Sequence, residues 1–341
     1  MKSMTIGGTG LAIPKLFRSL YNQDGEARPG RIGIIGLDTG HGPHFAKILN
    51  AEGAGETYGG MQVVAAYPYG SRSIKSSMEM IPDNIATIKK LGVTVVDSID
   101  ELLDQVDLVM LETNDGKLHL EQARQVFEAG KPAFIDKPVA ASLTDVLTIY
   151  KEANQQGVPI FSSSTLRYIK SVQQAANGKI GEVLGAQVFT PAPIEQTHPD
   201  LYWYGIHGVE MLFTMLGPKC QTVTRWHTED ADVVVGEWEG GRIGTLRGNR
   251  NGTWSFGGQA FGEEQNLELG DFTGYEPLIA PMVSFFQSLE SPVDKKETIG
   301  IYAFMSAAEV SKKRNGVTVT ISEVIEKART GSLDEELNGH R

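Results

Sequence analysis

Residues 32–49 read IGIIGLDTGHGPHFAKIL: a short β-branched apolar run, a turn opening on Gly36, and a segment with apolar residues at helical spacing. A strand that passes through a glycine turn straight into a helix is the opening unit of a parallel sheet, because a crossover must carry the chain back before the next parallel strand can start. The same unit recurs outward from here. MQVVAAY (61–67), VTVV (93–96), DLVMLE (107–112) and PAFID (132–136) are further strand-like runs, and VPIFSSS (158–164) supplies a sixth. Between them HFAKILN, PDNIATIKKLG, SIDELLDQV and HLEQARQVFEAG space their apolar residues by three or four. Ser98 with Glu101 reads as a helix start and Gly130 as a helix stop. The alternation predicts a Rossmann-like, doubly wound α/β domain over 31–164.

After residue 165 the pattern changes. VLGAQVFT, QTVTRWH, DVVVGEWE, RIGTLRGN and WSFGGQAFG follow one another as strands, with GGR (240–242) as a hairpin turn. Helical runs come at 275–291 and 298–316. These predict an α+β domain over 165–330 with a large, mostly antiparallel open sheet, helices on one face, and the helix at 298–315 placed to pack back on the first domain. The free face of such a sheet suits self-association as a homodimer or homotetramer. Residues 1–30 read as an N-terminal arm, with helical spacing at Leu16, Phe17, Leu20 and Tyr21, and 331–341 as a C-terminal tail.

The 341 residues include 42 acidic and 31 basic side chains, a formal net charge of −11. That sign opposes extended binding to nucleic acid or anionic membranes. A single cysteine, Cys220, excludes a disulfide within the chain and argues against a thiolate metal site. No apolar run has membrane-spanning length, and the first twenty residues lack the compact apolar core of a secretion signal. The expectation is a cytoplasmic protein that binds a small molecule.

Three later segments carry a more specific likeness. TNDGKLHLEQARQVFEAGKPAFIDKP (113–138), LRYIKSVQQAANGKIGEVLGAQV (166–188) and YGIHGVEMLFTMLG (204–217) resemble, in this order, segments of the glucose–fructose oxidoreductase/inositol dehydrogenase (Gfo/Idh/MocA) family. The resemblance implies hydride transfer between NAD or NADP and a hydroxyl-bearing carbon of a sugar, polyol or related carbohydrate-like substrate. It implies Lys137 and His207 as catalytic residues: His suits proton abstraction from a hydroxyl near neutral pH, and Lys suits holding the alkoxide that develops. Thr113, Asn114, Asp136 and Lys137 fall on the cofactor side of the family pattern, and Arg167 and Glu210 on the substrate side.

The chain departs from the family pattern at three places. On the G-x-G-x-x-G spacing, Gly36 keeps the first glycine, Asp38 replaces the second and His41 the third. The second glycine lets backbone approach the pyrophosphate. A carboxylate there, at roughly 5 Å and an effective dielectric near 20, costs on the order of 3 kcal/mol for each like-charge pair. At the end of the second strand, AAYPYGSRS offers no acid for the adenosine ribose, whereas Ser71 and Arg72 suit a 2′-phosphate, which favours NADP over NAD; an ordinary polar loop explains them equally well. Finally, Trp203 stands where many family members carry an Asp before the histidine. Tyr204 is placed to replace the lost polar group, and Trp203 to stack on a sugar ring or to join the core.

Asp38, His41 and His44 also form D-x-x-H-x-x-H, a spacing compatible with zinc, although helix-capping polar residues explain it more simply and no metal is assigned. Two other readings stand beside the oxidoreductase. One is a carbohydrate-binding or scaffolding protein that has lost the dinucleotide; the other is redox-neutral or metal-assisted chemistry in the same pocket.

Overall fold

The structure, a computed structural model, describes residues 30–338. The arm read at 1–30, with its helix at 11–21, lies outside the described residues except for Gly30. The first half builds β1 (Arg31–Ile35), α1 (His41–Leu49), α2 (Ala54–Thr57), β2 (Gln62–Tyr67), α3 (Lys75–Lys90), β3 (Thr94–Val95), α4 (Ile99–Gln105), β4 (Leu108–Leu111), α5 (His119–Glu128), β5 (Ala133–Ile135), α6 (Leu143–Gln156) and β6 (Ile160–Phe161). All six strands are parallel, in the order β3-β2-β1-β4-β5-β6. The order reverses between β1 and β4, so the crevice at their carboxyl ends is where such sheets place ligands. All four residues of β4 are buried, as expected for a central parallel strand covered on both faces.

Local chemistry accounts for the helix ends. Ser98 Oγ caps the helix by accepting from the Glu101 N–H at 3.1 Å, and the Glu101 carboxylate accepts from the N–H of Asp97, the residue before the cap, at 3.1 Å. Gly130 ends its helix at φ 65°. Helix α3 starts seven residues before the expected Pro82, which sits inside it and leaves one turn short of a backbone donor.

The second half adds α7 (Lys170–Ala176), β7 (Val183–Pro191), a π turn at Leu201–Gly205 running into α8 (Ile206–Leu216), then β8 (Cys220–His227), β9 (Ala231–Trp238), β10 (Arg242–Asn249), β11 (Gly257–Gly262) and β12 (Asn266–Leu269). The chain continues through α9 (Glu276–Ser288), α10 (Lys295–Lys313), β13 (Val319–Thr320), α11 (Ile321–Thr330) and α12 (Ser332–Asn338). The seven strands order as β12-β11-β7-β10-β9-β8-β13, and only the β7–β10 pair is parallel. Gly240 and Gly241 both take positive φ in the turn between β9 and β10. Gly208 lets α8 lie directly on this sheet: a Cβ there would stand 2.4 Å from Leu246 Cδ1. That close approach fixes the depth of the neighbouring His207.

The two halves share packing. Leu278, Ile279, Met282, Phe285 and Phe286 of α9 enter the core that contains Ile32 and Ile34 of the first sheet and Phe45 of α1. Helix α10 lies in a separate core that also holds Ile35, Val109 and Leu111 of the first sheet, and its Tyr302 hydroxyl accepts from Val139 N–H at 2.6 Å. The segment read as a tail forms α12, with Leu333 buried. Among the described residues no helix is long and apolar enough to cross a membrane.

Gly36 makes the first crossover possible. It holds φ 95°, and a Cβ would stand 2.6 Å from the Thr113 backbone nitrogen. Gly36→Ala should therefore lower stability by about 2 to 4 kcal/mol through backbone strain and overpacking, measured as a fall in the urea midpoint at constant m-value.

Candidate functional site

Carboxyl ends of strands converge on the crevice between β1 and β4. The β1–α1 turn carries Asp38 and His41, β4 runs out into Glu112 and Thr113, and β5 into Asp136 and Lys137. Beyond β6, Ser163 and Ser164 reach the same place, and the second half closes over it with Tyr204 and His207 from the π turn and α8. A single π turn inserted ahead of a helix commonly marks a functional position. Lys137, Ser164, Tyr204 and His207 line one pocket together with Asp136 and His41, and Trp254, Phe256, Phe272 and Tyr275 form its apolar wall.

Lys137 is 7% exposed, and its ammonium lies 5.2 Å from the centre of the Tyr204 ring. Burial lowers its pKa, against the opposing pull of Asp136 and Glu112. His207 is buried, with Nδ1 2.7 Å from Ser164 Oγ. Burial, and then the positive charges of Lys137 and His41, hold its pKa well below the usual histidine value. The imidazole is therefore neutral at pH 7. When Nδ1–H donates to Ser164 Oγ, the Nε2 lone pair is free to act as a base. Ser164 Oγ is itself held by accepting from Leu166 N–H at 3.1 Å.

Arg167 and Glu210, expected at the substrate, are instead engaged with each other behind the pocket. Arg167 Nε donates to Glu210 at 2.8 Å and its terminal nitrogen to Glu297 at 2.5 Å. Glu210 also accepts from Ser164 N–H at 2.8 Å and from the Ser163 hydroxyl. Buried charges require such pairing, and this pair clamps the serine segment that orients His207. Trp203 does not line the pocket either; it packs on His198 at 5.3 Å, and Trp254 takes the place beside Tyr204 at 4.9 Å. The remaining polar residues of that region are structural. His198 Nε2 accepts from Gly116 N–H at 3.1 Å, and Asp200 pairs with Arg225 at 2.6 Å and Lys312 at 2.5 Å.

The residues expected to hold a dinucleotide hold Asp38 instead. Its carboxylate is fully buried and accepts from Ser71 N–H at 2.7 Å, Ser71 Oγ at 2.5 Å and Asn114 N–H at 3.2 Å. Asn114 Nδ2 donates to Ser77 at 2.7 Å, and Asn84 ties the turn by donating to the Leu37 and Thr39 carbonyls, each at 2.8 Å. Ser71 is thus unavailable for a 2′-phosphate, and Arg72 is exposed on the loop beside it, so the preference for NADP loses its basis. Thr113 is buried against Gly36 with its hydroxyl unpartnered. In this arrangement a carboxylate of the chain takes the donors that face the crevice beside the first glycine turn. A pyrophosphate does not fit there unless Asp38 moves.

The D-x-x-H-x-x-H spacing does not assemble a cluster. Asp38 turns to Ser71, and His44 is exposed and packs on Tyr275 at 5.0 Å. His41 faces the opposite way: its Nδ1 lies 2.6 Å from Asp136 Oδ2 and 4.0 Å from Glu112 Oε2. Glu112, Ser164, Trp254 and Tyr275 escaped the reading of the sequence. Glu112 had a signal, an acid ending the apolar run DLVMLE at the carboxyl end of a central strand; the aromatics, on separate loops, had none.

The fold is α/β, and a pocket lined by Lys137 and His207 opens at the switch point of its Rossmann-type sheet. Residues 30–164 match the family model GFO_IDH_MocA, described as an oxidoreductase family with an NAD-binding Rossmann fold. An uncharacterized oxidoreductase of Streptococcus pneumoniae is 28% identical over 162 residues, 42% of this chain and 44% of that protein. A 1,5-anhydro-D-fructose reductase of Ensifer adhaerens is 33% identical over 110 residues, 30% of this chain and 32% of that protein. The matched stretches thus span less than half the length of these curated relatives. Among solved structures, a probable dehydrogenase from Thermotoga maritima superposes with TM-score 0.70 at 19% identity, covering 86% of this chain and 99% of that one. Scyllo-inositol dehydrogenase from Lactobacillus casei, with bound NAD(H) and scyllo-inositol, superposes with TM-score 0.69 at 14% identity, covering 86% and 100%. At these identities the superpositions establish the fold.

Asp38→Gly removes the internal anion and frees its donors. We expect it to tighten NADH binding by about a hundredfold over the wild-type chain, the equivalent of one relieved like-charge pair of roughly 3 kcal/mol. Nicotinamide fluorescence titrations of the two proteins measure this; equal affinities would show that Asp38 does not obstruct the dinucleotide.

Proposed function

We propose that this chain is an oxidoreductase-family enzyme acting on a sugar, polyol or related hydroxyl compound, with His207 taking the proton from the reacting hydroxyl and Lys137 stabilising the oxygen left behind. One observation carries the reading: a buried neutral imidazole, oriented by Ser164, shares a pocket with a buried ammonium. A substrate hydroxyl between them donates its proton to His207 Nε2. The oxygen gains negative charge as the proton leaves, and Lys137, in a desolvated setting, opposes that charge more strongly than it would in water. Tyr204, Trp254 and Tyr275 give a polyol faces to stack on, with Tyr204 also holding the Lys137 ammonium over its ring. The sugar reductase and inositol dehydrogenase among the similar proteins support the substrate class.

The match of residues 30–164 to an NAD-binding family model supports NAD as the hydride partner. The buried Asp38 favours a second reading, in which the same proton transfer serves a redox-neutral reaction such as elimination or hydration. Titration of the wild-type protein with NADH and NADPH separates the two. Micromolar binding supports hydride transfer, and no binding up to millimolar concentration supports the redox-neutral reaction.

Proton NMR over a panel of sugars and polyols, with and without nucleotide, tests the residue roles under either reading. Lys137→Ala should lower kcat by a factor on the order of 100 to 10,000 while leaving the circular dichroism spectrum intact. Unchanged turnover would remove Lys137 from the chemistry. His207 must be neutral to act as a base. With its pKa lowered, the neutral form persists into mild acid, so the acid limb of kcat/KM should lie below the ordinary histidine value of about 6.5 and activity should be lost as pH falls through it.

A further inference from the structure

We propose that His41, Glu112 and Asp136 form a binding site for a divalent first-row cation such as zinc or manganese. The three donors come from three elements that meet at the switch point: the start of α1 and the ends of β4 and β5. His41 Nδ1, a Glu112 oxygen and an Asp136 oxygen all lie within 4.8 Å of one another. Around a cation bound at about 2.0–2.2 Å, neighbouring donors stand roughly 3 to 3.5 Å apart. His41 and Asp136, now 2.6 Å apart, need only separate slightly, and Glu112, 4.0 Å from the imidazole, needs only to approach.

Glu112 is the independent sign that something belongs here. It is 0% exposed, and neither of its carboxylate oxygens has a hydrogen-bond partner. An isolated carboxylate in a protein interior is severely unfavourable, and nearly all buried polar atoms have partners. A carboxyl kept for structure would have been supplied with donors, as Glu210 and Asp38 are. Glu112 has none and is directed at His41. Local charge points the same way. Asp38, Glu112 and Asp136 are buried carboxyls, and among the described residues Lys137 is the only buried ammonium beside them. With the ligands deprotonated and His41 neutral, as metal binding requires, these groups carry an excess of two negative charges, which a divalent cation would cancel.

One imidazole nitrogen and two carboxylate oxygens, without sulfur, suit zinc, manganese or ferrous iron. Tyr275 packs edge-on against the His41 ring at 4.9 Å and holds its orientation. Glu112 lies at the back of the site, whereas His41 and Asp136 line the pocket, so open coordination positions face Lys137 and His207. A cation there would present a Lewis acid to substrate oxygens. The assignment rests on these three side chains and not on the reaction proposed above, so metal content tests it without any substrate.

The experiment uses untagged full-length protein, stripped with chelator, re-equilibrated separately with Mn²⁺ and Zn²⁺, desalted, and analysed by elemental mass spectrometry and by the change in Tm. One equivalent of metal per chain and a raised Tm are expected for the wild type. Glu112→Gln preserves shape and removes the charge, and it should weaken binding at least about tenfold, as should His41→Asn. His44→Asn, which alters the exposed histidine of the same helix, should bind like the wild type. Folding of each variant is checked by circular dichroism and by metal-free Tm, which Glu112→Gln should leave unchanged or raise because it removes an unpaired buried carboxyl. Absence of bound Mn²⁺ and Zn²⁺ in the wild type overturns the proposal. So does binding that survives Glu112→Gln undiminished.

Discussion

The carboxylate of Asp38 sits fully buried among the Ser71 amide and hydroxyl and the Asn114 amide, and the organisation of the crevice follows from that set of bonds. A buried carboxylate is tolerated only where donors converge on it. Here they come from the loops after β2 and β4, so Asp38 joins the β1–α1 turn to both neighbouring strands. In a Rossmann-type domain these loops surround the phosphates of a dinucleotide. Asp38 binds these donors itself, while His41 turns towards β5 and pairs with Asp136 at 2.6 Å.

Across the crevice the second half solves a related problem with a different ion pair. Glu210, on α8 one turn beyond His207, is paired with Arg167 and with the Ser163–Ser164 segment, and Arg167 is anchored in turn by Glu297 of α10. Removing either partner would leave an uncompensated buried charge, so the pair holds the serine segment in one place. Gly208 sets the approach of α8 to the sheet, and the π turn before it swings Tyr204 over Lys137. The position of His207 is therefore determined by contacts that never touch a substrate.

Much of this was legible without coordinates. Strand–helix alternation over 31–164 and the succession of strands after 183 define both sheets, because periodicities of two and of three to four residues directly reflect which faces are buried. Lys137, Tyr204 and His207 were legible through the ordered resemblance of three segments, and the structure brings them into one pocket. Arg167, Glu210 and Trp203 were misplaced. The identity of a residue states which charge or ring it carries, but not whether another part of the chain meets it first. Arg167 meets Glu297, 130 residues away, and Trp203 meets His198.

The sequence by itself determined the order of elements, the resemblance of its segments to a family pattern, and the presence of Asp38 and His41 where that pattern has two glycines, since each depends on local pattern or on residue type at a fixed spacing. Only the tertiary structure decided what those substitutions do. Asp38, His41 and His44 are close neighbours in the chain, yet they point to three different surroundings, because each side chain follows the donors, acceptors and rings that packing brings to it. Glu112 became conspicuous for the same reason. Its lack of a partner is a property of the space around it, and that space is built by strands far apart in the chain.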